Sequence, residues 1–195
     1  MTDDELLRQA DELQDLARRL LHKTPVLQLL RNFGDPVETG SSAIGLMVYP
    51  DIDLAVQTDA PDIGKAIELF PDIFYQTNAH EVKITKLDGG FFYIGIVMPF
   101  TGKIWKIDAT VCPTGIVGTD PPELKTWLQN VSPKQRLTIL RLKNKLLNSK
   151  RYVGAKSQPP YTFRSTHLYE GVLAGNVQTI TQLEKYWEDK LSDKG

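Results

Sequence analysis

The chain holds a single cysteine, Cys112, so no disulfide can form within it, and a lone thiol fits a reducing compartment. No apolar run approaches the roughly 20 residues needed to cross a bilayer. The N-terminus, MTDDELLRQADELQDL, is acidic and amphipathic and lacks the apolar stretch of a signal peptide. The expected location is the cytoplasm, with no membrane partner. Charge of one sign is missing too. Lys and Arg number 23 against 24 Asp and Glu, leaving a net charge of −1, so the molecule as a whole exerts little long-range pull on nucleic acid. Its 3 histidines and one cysteine form no cluster in the sequence, which gives no zinc signature. Internal repeats and low-complexity segments are absent as well.

What is present suits one globular domain, or one domain with a small appendage: 195 residues, 41% hydrophobic and 24% charged. The charge is unevenly spread. Residues 134 to 156 carry Lys134, Arg136, Arg141, Lys143, Lys145, Lys150, Arg151 and Lys156 with no acid. Such a block is either a solvated helix face or a surface for phosphates.

Apolar residues at three- and four-residue spacing predict an amphipathic helix over 3–23 and a short helix over 25–32. The stripe on the first helix can pack on the core or on a second subunit, so the oligomeric state stays open. Pro36 to Thr39 reads as extended, running into Gly40-Ser41-Ser42, and Asp51 to Gln57 reads as a strand. A helix over 62–69 is followed by three strands, 80–87, 91–98 and 103–111, joined by short turn-prone segments that predict antiparallel pairing. Helices are expected over 122–130 and 133–148, with two more beyond Pro160, and Lys150 to Pro160 reads as a linker or mobile loop. The fold class is therefore α/β (α+β): a mixed sheet flanked by helices over residues 1–120, then a helical region over 121–195.

Asp51 and Asp53 are one residue apart on a predicted strand, so both side chains point to the same face. Carboxylates held side by side repel unless a proton or cation lies between them, and Mg²⁺ takes oxygen ligands of this kind together with substrate phosphates. Asp108, in the apolar strand KIWKIDATV, is costly to bury without a partner. On a neighbouring strand it would complete a site for two ions. Upstream, the small residues Gly40, Ser41 and Ser42 offer backbone amides and hydroxyls suited to phosphate oxygens.

The run Gly40-Ser41-Ser42-Ala43-Ile44-Gly45, followed by Pro50-Asp51-Ile52-Asp53-Leu54-Ala55-Val56, resembles the signature of the DNA-polymerase-β-like nucleotidyltransferases, small bacterial antibiotic-modifying members included. That signature is a Gly-Ser turn, a short spacer (here residues 42 to 50), an Asp-x-Asp strand and a third acid on a later strand. The match covers about residues 34 to 112, and Ile44 stands where small bacterial members often carry Arg or Tyr. The resemblance implies an enzyme dependent on two Mg²⁺ ions, or Mn²⁺ in their place. Asp51, Asp53 and Asp108 would bind the metals, and Asp108 would also orient or deprotonate the acceptor. Gly40, Ser41 and Ser42 would hold the triphosphate of a nucleotide such as ATP.

Lys150 and Arg151, in the loop after the core, are further nucleotide-binding candidates that a lid could bring to the β- and γ-phosphates. Lys156 and Arg164 lie in or beside the same loop, and His167, Tyr169 and Glu170 are acceptor candidates by position alone. His80 and Cys112 read as structural, Gly89-Gly90 as a hairpin turn, and Phe91, Phe92, Tyr93, Trp105 and Trp127 mostly as core. The near-neutral charge favours a small-molecule acceptor, whereas the basic block keeps an RNA, tRNA or protein acceptor open. A non-catalytic nucleotide- or partner-binding module is the rival of another class.

Overall fold

The computed structural model describes residues 1–115, 128, 130–154 and 156–193. They group into two compact units, one of Asp11–Thr119 and one of Met1–Ala10 with Asp120–Gly195. The helix expected over 122–130, Trp127 with it, lies outside the described residues except for Leu128 and Asn130. No helix among the described residues is long and apolar enough to cross a membrane.

The first unit is built on a mixed five-stranded sheet of β1 (Asp35–Thr39), β2 (Asp51–Gln57), β3 (Glu81–Lys86), β4 (Phe92–Phe100) and β5 (Lys103–Cys112), ordered β1-β2-β5-β4-β3. The turns after β3 and β4 pair those strands antiparallel in sequence order, as expected. β5 then lies parallel to β2, the one parallel pair, so Asp53 aligns with Asp108. Apolar residues recur at every second position of the central strands. Ile52, Leu54 and Val56 of β2, Trp105, Ile107, Ala109 and Val111 of β5, and Phe92, Ile94, Ile96 and Met98 of β4 are all buried. They pack with Leu13, Ala17, Leu20 and Leu21 of α1 (Asp3–Lys23), with Val26, Leu29 and Leu30 of α2 (Val26–Leu30), and with Phe33. The other face carries Asp51, Asp53, Tyr93, Lys106 and Asp108, with Ala55 and Val97 among them.

α1 starts where Thr2 and Glu5 cap one another, the Thr2 amide donating to Glu5 Oε2 at 2.7 Å and the Glu5 amide to Thr2 Oγ1 at 3.3 Å. After α3 (Gly40–Ala43) come α4 (Ile63–Glu68) and α5 (Phe70–Gln76). Sequence reading passed over α5. Pro71 looks like a breaker, but it occupies the first turn, where a missing amide costs nothing, and burial of Ile73 anchors the helix.

The second unit contains α6 (Pro133–Asn148), α7 (Ser165–Leu173) and α8 (Ile180–Ser192). Ser132 with Gln135 and Thr179 with Gln182 form capping boxes at the starts of α6 and α8. The expected linker at 150–160 is a tied loop instead. The Val153 amide donates to Phe163 O at 2.8 Å and the Phe163 amide to Arg151 O at 2.9 Å. Arg151 donates to Tyr161 O at 2.7 Å, Pro160 O at 3.0 Å and Glu184 Oε1 at 2.7 Å, fastening the loop to α8.

Phe92→Ala should cost about 3–5 kcal/mol in urea unfolding, since the ring is buried edge-on to Phe33. Tyr75→Ala, at a ring 78% exposed, should cost under about 1 kcal/mol. A pH effect follows from His167, whose ring packs on Trp187. Burial first, then the nearby Arg164 and Lys190 charges, lower its pKa from 6.5 to about 4. As pH falls below 6.5 the unfolded chain takes up this proton before the folded one, so stability is full above that pH and declines towards pH 4. Urea midpoints across this window should fall less steeply in His167→Gln than in the unsubstituted protein.

Candidate active site

The outward face of β2 and β5 collects the acids. Asp51 and Asp53 project opposite to the buried Ile52 and Leu54, and Lys106 and Asp108 opposite to Trp105 and Ile107. The parallel register sets Asp51 beside Lys106 and Asp53 beside Asp108, on strands about 4.8 Å apart. Three carboxylates and one lysine therefore share a single patch of sheet.

Asp108 is held from two sides. Tyr93 donates its hydroxyl to Asp108 Oδ1 at 2.5 Å, and Lys106 Nζ makes an ion pair with Oδ2. Tyr93 reaches across because Gly95, the β4 partner of Asp108, has no side chain. A Cβ on Gly95 would lie 2.4 Å from the Tyr93 hydroxyl. Burial, then the hydrogen bond to Asp108 and the charges of Asp108, Asp51 and Asp53, push the Tyr93 phenol well above its usual range, so it remains a donor. For Lys106, partial burial pulls the pKa down, but the Asp108 hydrogen bond and the same three charges outweigh it and the net shift is upward. Both groups register a concentrated negative field.

The Gly40 turn closes over the same patch. At the end of β1 the chain enters α3 through Gly40, whose φ is +62°, a left-handed conformation that disfavours side chains. Space forbids one as well, since a Cβ there would meet Asp53 Oδ2 at 2.0 Å. The backbone of the turn thus rests on the second acid of the pair. Ser42 is fully buried; its hydroxyl donates to Thr39 O at 3.3 Å and its carbonyl accepts from Gln14 Nε2. Ser41 is 7% exposed and accepts from the Leu46 amide at 3.0 Å. As they stand, Ser42 builds the turn and Gly40 delivers its backbone to Asp53.

Lys150 and Arg151 belong to the helical unit. Lys150 is exposed in the residue pair just after α6, and Arg151 is engaged with the loop and Glu184 as described. The sequence reading missed Tyr93, Gly95, Lys106 and Gln14. Lys106 was legible, since it precedes Asp108 by two on one strand and must share its face. Tyr93 could be assigned only once β4 was known to flank β5.

The donor set fits a hard divalent cation, because it consists of carboxylate oxygens only. The cradle also fits, because the Gly40 backbone holds Asp53 in place without covering it with a side chain. Among the described residues, however, no three His, Cys, Asp or Glu side chains converge on one ligating point as they stand. The Asp108 oxygens are turned to Tyr93 and Lys106.

Two glycine substitutions isolate the Asp53 contact. Gly40 and Gly102 both have positive φ, but a Cβ at Gly102 meets nothing within 4 Å. Gly102→Ala should cost about 1–2 kcal/mol, the left-handed backbone alone. Gly40→Ala should cost clearly more in the same urea experiment, the excess measuring the collision with Asp53.

No protein-family model matches the chain, and no curated protein matches its sequence. Solved structures do share its fold. The polymerase core of TRAMP, an RNA surveillance complex, is similar with a TM-score of 0.54 at 16% identity, over 89% of this chain and 53% of that one. The non-canonical poly(A) polymerase complex GLD-2–GLD-3 gives 0.61 at 14% identity, over 90% and 60%. The Cid1 poly(U) polymerase, in a mutant bound to MgATP, gives 0.56 at 16% identity, over 89% and 51%. The chain thus spans 51% to 60% of the length of these structures. Its fold is the one these polymerase structures share over most of this chain.

Proposed function

We propose that the chain is a nucleotidyltransferase that moves a nucleoside monophosphate from a nucleoside triphosphate, ATP among them, to an acceptor hydroxyl with release of pyrophosphate. One observation carries this reading: on a nucleotidyltransferase fold, Asp51, Asp53 and Asp108 share one face of two adjacent strands, with the Gly40 backbone packed on Asp53. Asp51, Asp53 and Asp108 would hold two Mg²⁺ or Mn²⁺ ions, which supply charge neutralisation to the phosphates and acidify the attacking hydroxyl.

The chain's own groups then position the reactants. The Gly40–Ala43 turn presents backbone amides to the triphosphate. Tyr93 keeps Oδ1 of Asp108 in place, and Asp108 orients the acceptor hydroxyl and takes its proton as the oxygen attacks the α-phosphorus. Alignment of the two reactants supplies much of the rate. Within the helical unit, Lys150 is exposed and Arg151 is engaged by Glu184.

For the acceptor we favour a small molecule. The net charge is −1, and three of the eight cations of the basic block are taken up within their own unit. Arg141 is bound bidentately by Asp3, Lys143 is fully buried, and Arg151 is bound by Glu184. An RNA acceptor is the second reading, favoured by the fold shared with poly(A) and poly(U) polymerases. The two differ in salt response. Small-molecule transfer predicts no salt-sensitive retention of an oligoribonucleotide, whereas an RNA acceptor predicts binding that falls as salt rises.

Calorimetry with each of the four ribonucleoside triphosphates, with Mg²⁺ and then with excess chelator, tests the central claim. Binding should require Mg²⁺ and weaken at least about tenfold in Asp53→Asn, whose circular dichroism should match the unsubstituted protein. Loss of a partner one shell further out already costs about tenfold or more in metal affinity, so loss of a coordinating charge should cost at least that. Folded protein that binds no triphosphate would sink the assignment. Metal-dependent binding without turnover on any acceptor would favour the binding-module reading.

A further inference from the structure

We infer that Lys106 is a tethered cation that competes with a divalent ion for Asp108, so that the metal site assembles by exchange of the lysine for metal. This rests on the proposed reading of the acid patch. Three observations point to it. Lys106 lies two residues before Asp108 on β5 and aligns with Asp51 on β2, which places its stem over the acids. Its ammonium pairs with Asp108 Oδ2, the oxygen that Tyr93 leaves open. Its side chain is 53% exposed against 21% for Asp108, so the flexible four-carbon stem can swing into solvent while the carboxylate stays.

Tyr93 and Lys106 hold the carboxylate in different ways. Tyr93 is a neutral donor, seated in the lane that Gly95 opens, and its bond to Oδ1 is compatible with a cation on the other oxygen. Lys106 is charged, so its ammonium and a divalent ion repel at the shared Oδ2. One must leave. In the metal-free protein the lysine offsets the mutual repulsion of Asp51, Asp53 and Asp108, which lets the sheet fold without an ion. The same contact lowers the affinity for the ion that replaces it. Lys106 is thus a positioning residue with two effects of opposite sign.

The test measures metal alone on the full chain. Free Mn²⁺ is followed by electron paramagnetic resonance during titration of the unsubstituted protein, Lys106→Met and Lys106→Arg, with thermal melting in chelator alongside. Lys106→Met should bind Mn²⁺ about three- to fivefold more tightly, the scale of a half-exposed ion pair, while melting at a lower temperature without metal. Lys106→Arg, whose planar fork grips a carboxylate at least as firmly, should bind Mn²⁺ as weakly as the unsubstituted protein or more so. It also carries the test if Lys106→Met does not fold. Unchanged or weaker Mn²⁺ binding in Lys106→Met, or tighter binding in Lys106→Arg, overturns the exchange and leaves the metal site standing. No Mn²⁺ binding by any folded variant sinks the metal site and the exchange together.

Discussion

Like charges on adjacent strands repel, and the acid patch on β2 and β5 is arranged around that repulsion. Asp53 and Asp108 are aligned across a parallel pair of strands and Asp51 faces the same way. Water cannot fully screen the cluster, because the neighbouring strands and the Gly40 turn crowd it. The remedies on hand are donors and cations: the phenol of Tyr93, the ammonium of Lys106 and, when bound, a metal. Against the pull of burial, the Lys106 pKa is raised by the Asp108 hydrogen bond and the three acid charges. The Tyr93 pKa is raised by burial first and then by the same groups.

Side-chain absence does as much as side-chain presence. Gly40 lets a backbone turn lie on Asp53, and Gly95 lets a tyrosine cross from one strand to the acid on the next. Beneath these contacts is an ordinary apolar core, in which Trp105, Ile107, Phe92 and Ile52 anchor the strands that aim the acids outward. Gln14 links that core to the site, its amide on α1 holding the Ser42 carbonyl and so the turn. The placement of the acid patch is therefore inherited from the buried core beneath it.

In the helical unit, part of a charge run is taken up within the unit itself. Eight cations without an acid between 134 and 156 suggest a phosphate-facing block. Folding brings Asp3 and Glu184 onto two of them and buries a third. The tied loop at 150–160 has the same lesson. Glycine, serine and paired prolines read as slack chain, yet Arg151 and Phe163 fasten it by backbone and guanidinium hydrogen bonds.

Local pattern carried much of this protein. It predicted four strands and a short extended piece where β1 lies, and the interval between Asp51 and Asp53 placed both on one face, because a strand's side-chain period is two. The Gly-Ser turn and the third acid were legible for the same reason: each is a feature of a few consecutive residues. What needed the tertiary structure was every relation between strands. Whether Asp108 aligns with Asp53, that Tyr93 crosses Gly95, that Lys106 takes one oxygen of Asp108, and that Ser42 faces inward to Gln14 all depend on strand order and register. Pairing is decided by burial of a whole sheet face against its helices, a property of distant residues acting together, and no short stretch of sequence contains it.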